Sequence, residues 1–527
     1  MRVRSRLGAL AVAALTCLLP ACGGSSGDAP ETPPSARPEA AVRTGGEATY
    51  LMVSEARNLE PASQINQGSA GGPLMNAIFD ALFTVDPTSG DIQPRIAASF
   101  ATTDGRTWTL KLRDGVKFSD GTALDAEAVR FSWERLRNGD VKGAVASDAV
   151  RQMDTITIVD PLTLTVTLKA PNWQFKYSVQ EGATVWIVSP TAVRAQGADA
   201  FAQHPVGAGP FILKSRTPNA QTVLVRNPNY WQTGLPKLDT LILRPNPDRD
   251  QALDSIVTGQ AQATYDGVGQ LAQRAQAEGL NVQSAYGMQG GVVFLFNQAK
   301  APFDDVRVRR AVALALNLDE IDQQVFEGAA EVPKTLFSNS SPFYDASLTI
   351  PSNQPEQAKA LFDELAAEGK PVSFTISAST NTVTSTYAKA IQTQLSTYGN
   401  VKVEVLVADS ATLVRAQQNH DFQMMNAGYA SVDPEPALYA GLQSTGSNNY
   451  GSVKDPAIDE GLDAGRTASD QESRRAGYLS FQKAVIANVP AVWTHRLQAI
   501  TIQADTVAGL RLYGPSSPLF DGFGLIE

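Results

Sequence analysis

Between residues 372 and 407 the chain reads strand, helix, strand, and this restricts the fold more than any other stretch. Val372, Phe374 and Ile376 alternate with Ser373 and Thr375, residues 383–398 read as a helix, and Val401, Val403, Val405 and Val407 alternate again. Two strands joined through a helix lie parallel in one sheet with a right-handed crossover, which places the chain in the α/β class. Phe422-Gln423-Met424-Met425 reads as a further strand of the same sheet. It is followed by Asn426-Ala427-Gly428-Tyr429-Ala430-Ser431-Val432-Asp433-Pro434. Ligands of open α/β sheets collect outside strand carboxyl ends, so Asn426, Gly428, Tyr429 and Asp433 are candidate binding residues.

A chain of 527 residues exceeds one hydrophobic core, and two or three domains are expected. The formal net charge of −10 argues against nucleic acid or an anionic membrane surface as the main partner. The two cysteines, Cys17 and Cys22, lie at the far N-terminus, so the body carries no disulfide or thiol chemistry. His204, His420 and His495 are too far apart in sequence for metal-ligand spacing, and no built-in zinc or other cofactor is expected. G-x-x-x-x-G-K-[ST] does not occur, so nucleotide hydrolysis belongs elsewhere. Gly23-Gly24-Ser25-Ser26-Gly27 matches G-x-S-x-G but lacks the strand before and the helix after that a nucleophile needs.

The N-terminus reads as a secretion signal over residues 1–21, with Arg2, Arg4 and Arg6 ahead of an apolar run from Leu7 to Leu19. Leu19-Pro20-Ala21-Cys22 resembles a bacterial lipobox, which implies cleavage before Cys22 and acylation of that residue. Residues 22–46, rich in Gly, Ser and Pro, form the expected disordered tether.

Residues 76–137 carry the strongest resemblance. Asp86-Pro87, Ser89-Gly90 and Asp104-Gly105 mark turns, while Trp108, Leu110 and Leu112 alternate as a half-buried strand. Ala126, Val129, Trp133 and Leu136 share one helix face, with Gly139 just past its end. Taken in order, Leu82-Phe83, Pro94 with Ala97, Asp104-Gly105, Thr107–Leu110, Gly115–Phe118, Asp120–Thr122 and Ala128–Ser132 resemble the extracytoplasmic solute-binding proteins of peptide and nickel ABC importers, the large family 5 type. Val206–Phe211, Arg226–Trp231, Ala301–Ala311 and Asn448–Asp459 continue the likeness.

The resemblance implies a two-lobed periplasmic-binding-protein-like fold with an extra subdomain, a ligand cleft between the lobes and hinge crossovers near 291–297 and 489–496. Residues 47–78, 201–290 and 495–527 would form the core of lobe I, 79–200 its extra subdomain, and 291–494 lobe II. It further implies a binding protein that is not an enzyme, that acts with an ABC permease and separate ATPase subunits, and that captures an oligopeptide or peptide-like solute. A monomer held on the extracytoplasmic side of the membrane by lipid is expected. A chelated metal is the alternative solute. A hydrolase needs a nucleophile with a paired base, for which three scattered histidines offer little.

In peptide-binding members an Asp within the loop after Gly428 pairs with the solute's α-ammonium. Here Ser431 and Val432 hold the matching places and Asp433 is offset. The loop carrying Ser63, Gln64 and Asn66 either lines the cleft, as in the family, or is a solvated polar loop. Trp493 faces either cleft or core, and His495 beside it is either a contact or an ordinary histidine. Val185–Pro190 is expected as a strand, Tyr230 and Trp231 as packing anchors, and Arg307, Arg309 and Arg310 as a solvated helix face.

Overall fold

The structure is a computed structural model that describes residues 41–56, 58–64, 71–141, 148–285, 287–513 and 517–527, all within one compact unit, Glu39–Glu527. Cys22, the expected signal, most of the expected tether and Asn66 lie outside the described residues.

The apolar alternation that starts at Val372 gives the strand Val372–Ser379. It runs parallel to Val401–Ala408 in a register from Val372 opposite Val401 to Ser379 opposite Ala408, with the helix Thr382–Leu395 between them. The five-stranded sheet is ordered Val401–Ala408, Val372–Ser379, Met424–Gly428, Val292–Phe296, Ala491–His495. Its first three strands are parallel, and Val292–Phe296 runs antiparallel to both of its neighbours. Period-two alternation divides this strand between two cores. Phe294 and Phe296 join Val308, Val312, Phe362 and Ile391 on one face, whereas Val293 and Leu295 join Leu438, Leu462 and Phe481 on the other.

A seven-stranded sheet is assembled from distant parts of the chain in the order Asn281–Ser284, Ile500–Gln503, Ala263–Asp266, Glu47–Met52, Thr240–Pro245, Gln221–Arg226, Phe211–Thr217. A four-stranded antiparallel sheet, Ala97–Thr102, Thr107–Leu112, Thr163–Leu168 and Met153–Asp160, turns Trp108, Leu110 and Leu112 inward with Leu164, Val166 and Leu168. Behind it lies the helix Ala126–Asn138. Asp125 caps its start by accepting from the Ala128 amide at 3.0 Å, and Gly139 ends it at φ 73°. Tyr230 and Trp231 do more than pack. Their O–H and N–H donate to the buried Asp80 carboxylate at 3.0 and 2.9 Å, beside the Asp80–Arg95–Asp521 ion cluster.

The chain passes between the seven- and five-stranded sheets twice, from Ser284 to Val292 and from His495 to Ile500. Arg496 ties the two passages together. With 3 % of its surface exposed, it donates to the Gly290, Leu336 and Thr335 carbonyls at 3.2, 2.9 and 2.7 Å and pairs with Glu331 at 2.7 Å.

Three expectations need correction. Val185–Pro190 is buried but is not a strand. Ser189 accepts from the Ala192 amide at 3.1 Å and Pro190, which lacks an N–H to ladder, opens the helix Pro190–Gln196. Arg309 is not on a solvated face, since only 4 % of it is exposed. It donates to the Phe303 and Asn488 carbonyls, both at 2.8 Å, and so satisfies the end of the helix Gln471–Asn488. Residues 42–46 are docked and do not belong to a free tether: Val42 bridges to Ile526, and the Arg43 and Gly45 amides donate to Leu525 and Lys237 at 2.9 and 2.7 Å.

Candidate functional site

A cavity of about 220 Å³ lies at the end of the five-stranded sheet nearest both chain passages. Val292, the first residue after one passage, and His495, the last before the other, line it together with Asn381, Tyr387, Asn426 and Thr494. Asn381 follows the strand Val372–Ser379, and Asn426 is the middle residue of Met424–Gly428. The cavity therefore sits beyond the carboxyl end of the first strand and beside the second, parallel one, close to where such sheets hold ligands. Gly428 pairs with Val292 at the exposed strand end.

Local geometry dictates which hydrogen-bonding groups the lining offers. Asn381 caps the helix Thr382–Leu395 through its Oδ1, which accepts from the Thr384 amide at 3.3 Å. Asn426 Nδ2 faces the Val293 carbonyl at 3.4 Å. Thr494 gives its one hydroxyl hydrogen to the Val292 carbonyl at 3.0 Å, so the His495 Nδ1 at 3.1 Å from Thr494 Oγ1 must carry the proton and Nε2 is the bare acceptor. Burial, with the nearby Arg249 guanidinium, holds the His495 pKa down to about 4 and keeps the ring neutral. Tyr387 stacks on His495 with ring centroids 5.6 Å apart, and its buried hydroxyl has no hydrogen-bond partner.

Beyond Gly428 the chain joins two parts of the molecule. The Val432 amide donates at 2.9 Å to Glu181, the last residue of the helix Phe175–Glu181, and Val432 packs with Val85 and Tyr177. Burial raises the Glu181 carboxyl well above the usual range, and the neighbouring Asp433 and Glu435 add to this. Glu435 is fully buried. It accepts from Asn172 Nδ2 at 2.9 Å and Ser178 Oγ at 2.7 Å, and it pairs with Arg466, whose guanidinium lies 3.1 Å above the Tyr439 ring. Burial pushes this carboxyl up and Arg466 opposes the shift.

The candidates from sequence fall into separate places. Asn426 and His495 meet at the cavity and Gly428 borders it. Tyr429 and Trp493 lie in one core, with ring centroids 6.2 Å apart and Tyr429 packed against Gly441. Asp433 caps the helix Pro434–Leu442 and pairs with Arg474 at 2.5 Å, so it is already committed within the protein. Ser63 and Gln64 are buried and turned onto Asn58 and Glu60. Asn381, Tyr387, Glu181 and Glu435 were not foreseen. The cap position of Asn381 ahead of residues 383–398 was the one local clue among them.

The family model for bacterial extracellular solute-binding proteins, family 5, matches residues 91–451. The chain is 25 % identical over 473 residues to a glutathione-binding protein of Pectobacterium atrosepticum, covering 86 % of this chain and 90 % of that one. It is 26 % identical over 480 residues to the periplasmic oligopeptide-binding protein of Salmonella typhimurium, covering 86 % of each. Its fold is similar to that of a periplasmic binding protein from Helicobacter pylori solved with a bound peptide, with a TM-score of 0.80 and 23 % identity over 92 % of this chain and 99 % of that one. Among the described residues no group of three or more His, Cys, Asp or Glu is placed to hold a metal ion, and no helix is long and apolar enough to cross a membrane.

Proposed function

The chain belongs to the bacterial extracellular solute-binding proteins of family 5, and on that premise we propose that it is the capture subunit of an ABC importer, taking a peptide-like solute between its two lobes and handing it to a membrane permease driven by separate ATPase subunits. The observation that carries this reading is the cavity beside both chain passages, lined by Asn426 and His495 and bordered by Gly428. A solute there touches the two segments on which the lobes pivot, so its binding energy favours one relative position of the lobes over the others. The lobes have the boundaries given above.

The subunit contributes binding and no chemistry. Acylation of Cys22 holds it on the outer face of the cell membrane, and intact-mass measurement of wild type and Cys22→Ser from membranes tests this, since only the wild type should carry acyl mass. The solute reading is tested by native mass spectrometry of residues 41–527, purified gently and then denatured. Release of several masses that fragment as short peptides is expected. Release of one discrete non-peptide mass, a metal chelate included, overturns the peptide reading.

A further inference from the structure

The cavity beside His495 has a more specific chemistry than a general solute cleft. Its polar lining is neutral: Asn381, Thr384, Tyr387, Asn426, Thr494 and the unprotonated His495. Two acceptors are left over after the internal bonds are made, Nε2 of His495 and Oδ1 of Asn426. Donors are also left over: Nδ2 of Asn381, the second Nδ2 hydrogen of Asn426 and the Thr384 hydroxyl. His495 is 5 % exposed and Asn426 half-buried, so the two acceptors are largely withdrawn from bulk water, while Asn381 stands at the exposed rim.

We propose that this cavity is a subsite for a primary amide on the solute, of the kind carried by an asparagine or glutamine side chain, and that it discriminates against charged groups of the same size. The amide N–H pair serves the two acceptors and its carbonyl accepts from the donors. An ammonium would satisfy the acceptors but leave the donors facing a cation. A carboxylate would do the reverse, setting its charge against Oδ1 and Nε2. In either case an ion meets no counter-charge among the lining residues, the Arg249 guanidinium that acts on His495 being paired with Asp266 at 3.3 Å. This rests on the reading of the cleft as the solute site, and it goes further by naming what one part of the cleft selects.

The experiment uses propionamide, propionate and propylammonium as probes in ligand-observed NMR with residues 41–527, as wild type and as Asn426→Val. A parallel calorimetric series uses Ala-Gln-Ala, Ala-Glu-Ala and Ala-Lys-Ala. The expected result is propionamide bound at least tenfold more tightly than either ion, with that preference lost in Asn426→Val, and Ala-Gln-Ala the tightest of the three peptides. If propionamide does not bind, or binds no better than the ions in the wild type, the subsite is overturned whatever the variant does. If the peptides bind with equal affinity, the subsite is overturned while the peptide reading stands. If no peptide binds but propionamide retains its Asn426-dependent preference, the subsite stands and the peptide reading falls.

Discussion

Ser178 donates its hydroxyl to Glu435 at 2.7 Å across 257 positions of sequence, with both side chains buried. The contact joins the helix that follows the four-stranded sheet to the helix that follows the strand Met424–Gly428 of the five-stranded one. With Asn172 and Arg466 it forms a clasp whose parts come from elements that do not touch in sequence.

Removing the carboxylate should be costly. Glu435→Ala leaves the buried Arg466 with only the longer contact to Asp148 at 3.4 Å, a loss of up to about 3–5 kcal/mol. Glu435→Gln keeps the contacts to Asn172 and Ser178 and should lose less. Denaturant unfolding monitored by tryptophan fluorescence checks both. Equal stability of wild type and Glu435→Ala would show that the clasp adds nothing to the folded state.

Glu181 sets a pH dependence of defined sign. Its carboxyl is raised in the folded chain, so the folded state holds the proton more tightly than the unfolded one. The resulting stability is fully present below the unfolded value, about 4.3, and is lost as pH rises through the higher folded value. Glu181→Gln mimics the protonated form and should melt above wild type at pH 7.5, the difference closing by about pH 4. Thermal melts at both pH values check this, and parallel pH profiles would count against it.

Trp493 and Tyr429 are core residues here, so their truncation should act on stability and leave recognition alone. Trp493→Ala is expected to cost about 3–5 kcal/mol while the folded fraction retains its solute affinity. Calorimetric titration at a temperature where the variant is still folded separates the two effects. A lost affinity with stability intact would place Trp493 against the solute.

Arg496 is expected to matter out of proportion to its single position. Arg496→Ala strands the Gly290, Leu336 and Thr335 carbonyls, and leaving buried acceptors unmet costs about 1–3 kcal/mol each. Arg496→Lys keeps the charge but lacks the planar fork that reaches several carbonyls at once, so it should recover only part of the loss. Hydrogen exchange at residues 285–292 and 495–500 should rise in both variants. Unchanged exchange there would argue that the two passages are held by other contacts.

What could be read in advance was local. The helix Ala126–Asn138 announces itself through an apolar face and a terminal glycine, both within 14 positions. The parallel pair Val372–Ser379 and Val401–Ala408 follows from two alternating runs and the helix between them. The buried charges were not legible. Arg309 sits among three arginines of like appearance, and only the arrival of Asn488 distinguishes it from the half-exposed Arg307, which pairs with Asp305, Glu364 and Glu368. Trp493 shows a different limit. Alternation assigns a strand residue to one face, but helices cover both faces of the five-stranded sheet, so face does not distinguish core from cleft. The site itself is a meeting of Asn381 from a helix cap, Asn426 from mid-strand and His495 from a strand end, a juxtaposition no single window of sequence contains.

The seven-stranded sheet has a consequence for how the chain is born. Ile500–Gln503 lies between Asn281–Ser284 and Ala263–Asp266, and it leaves the ribosome more than 200 residues after either of them. Until it arrives, the edge of Ala263–Asp266 stays open and Asn281–Ser284 has no strand to pair with. At synthesis rates of about 5–20 residues per second, the more than 200 residues between them keep that edge waiting for some ten seconds or longer. A nascent chain of this topology stays unfinished, and available to chaperones, over the whole of that interval.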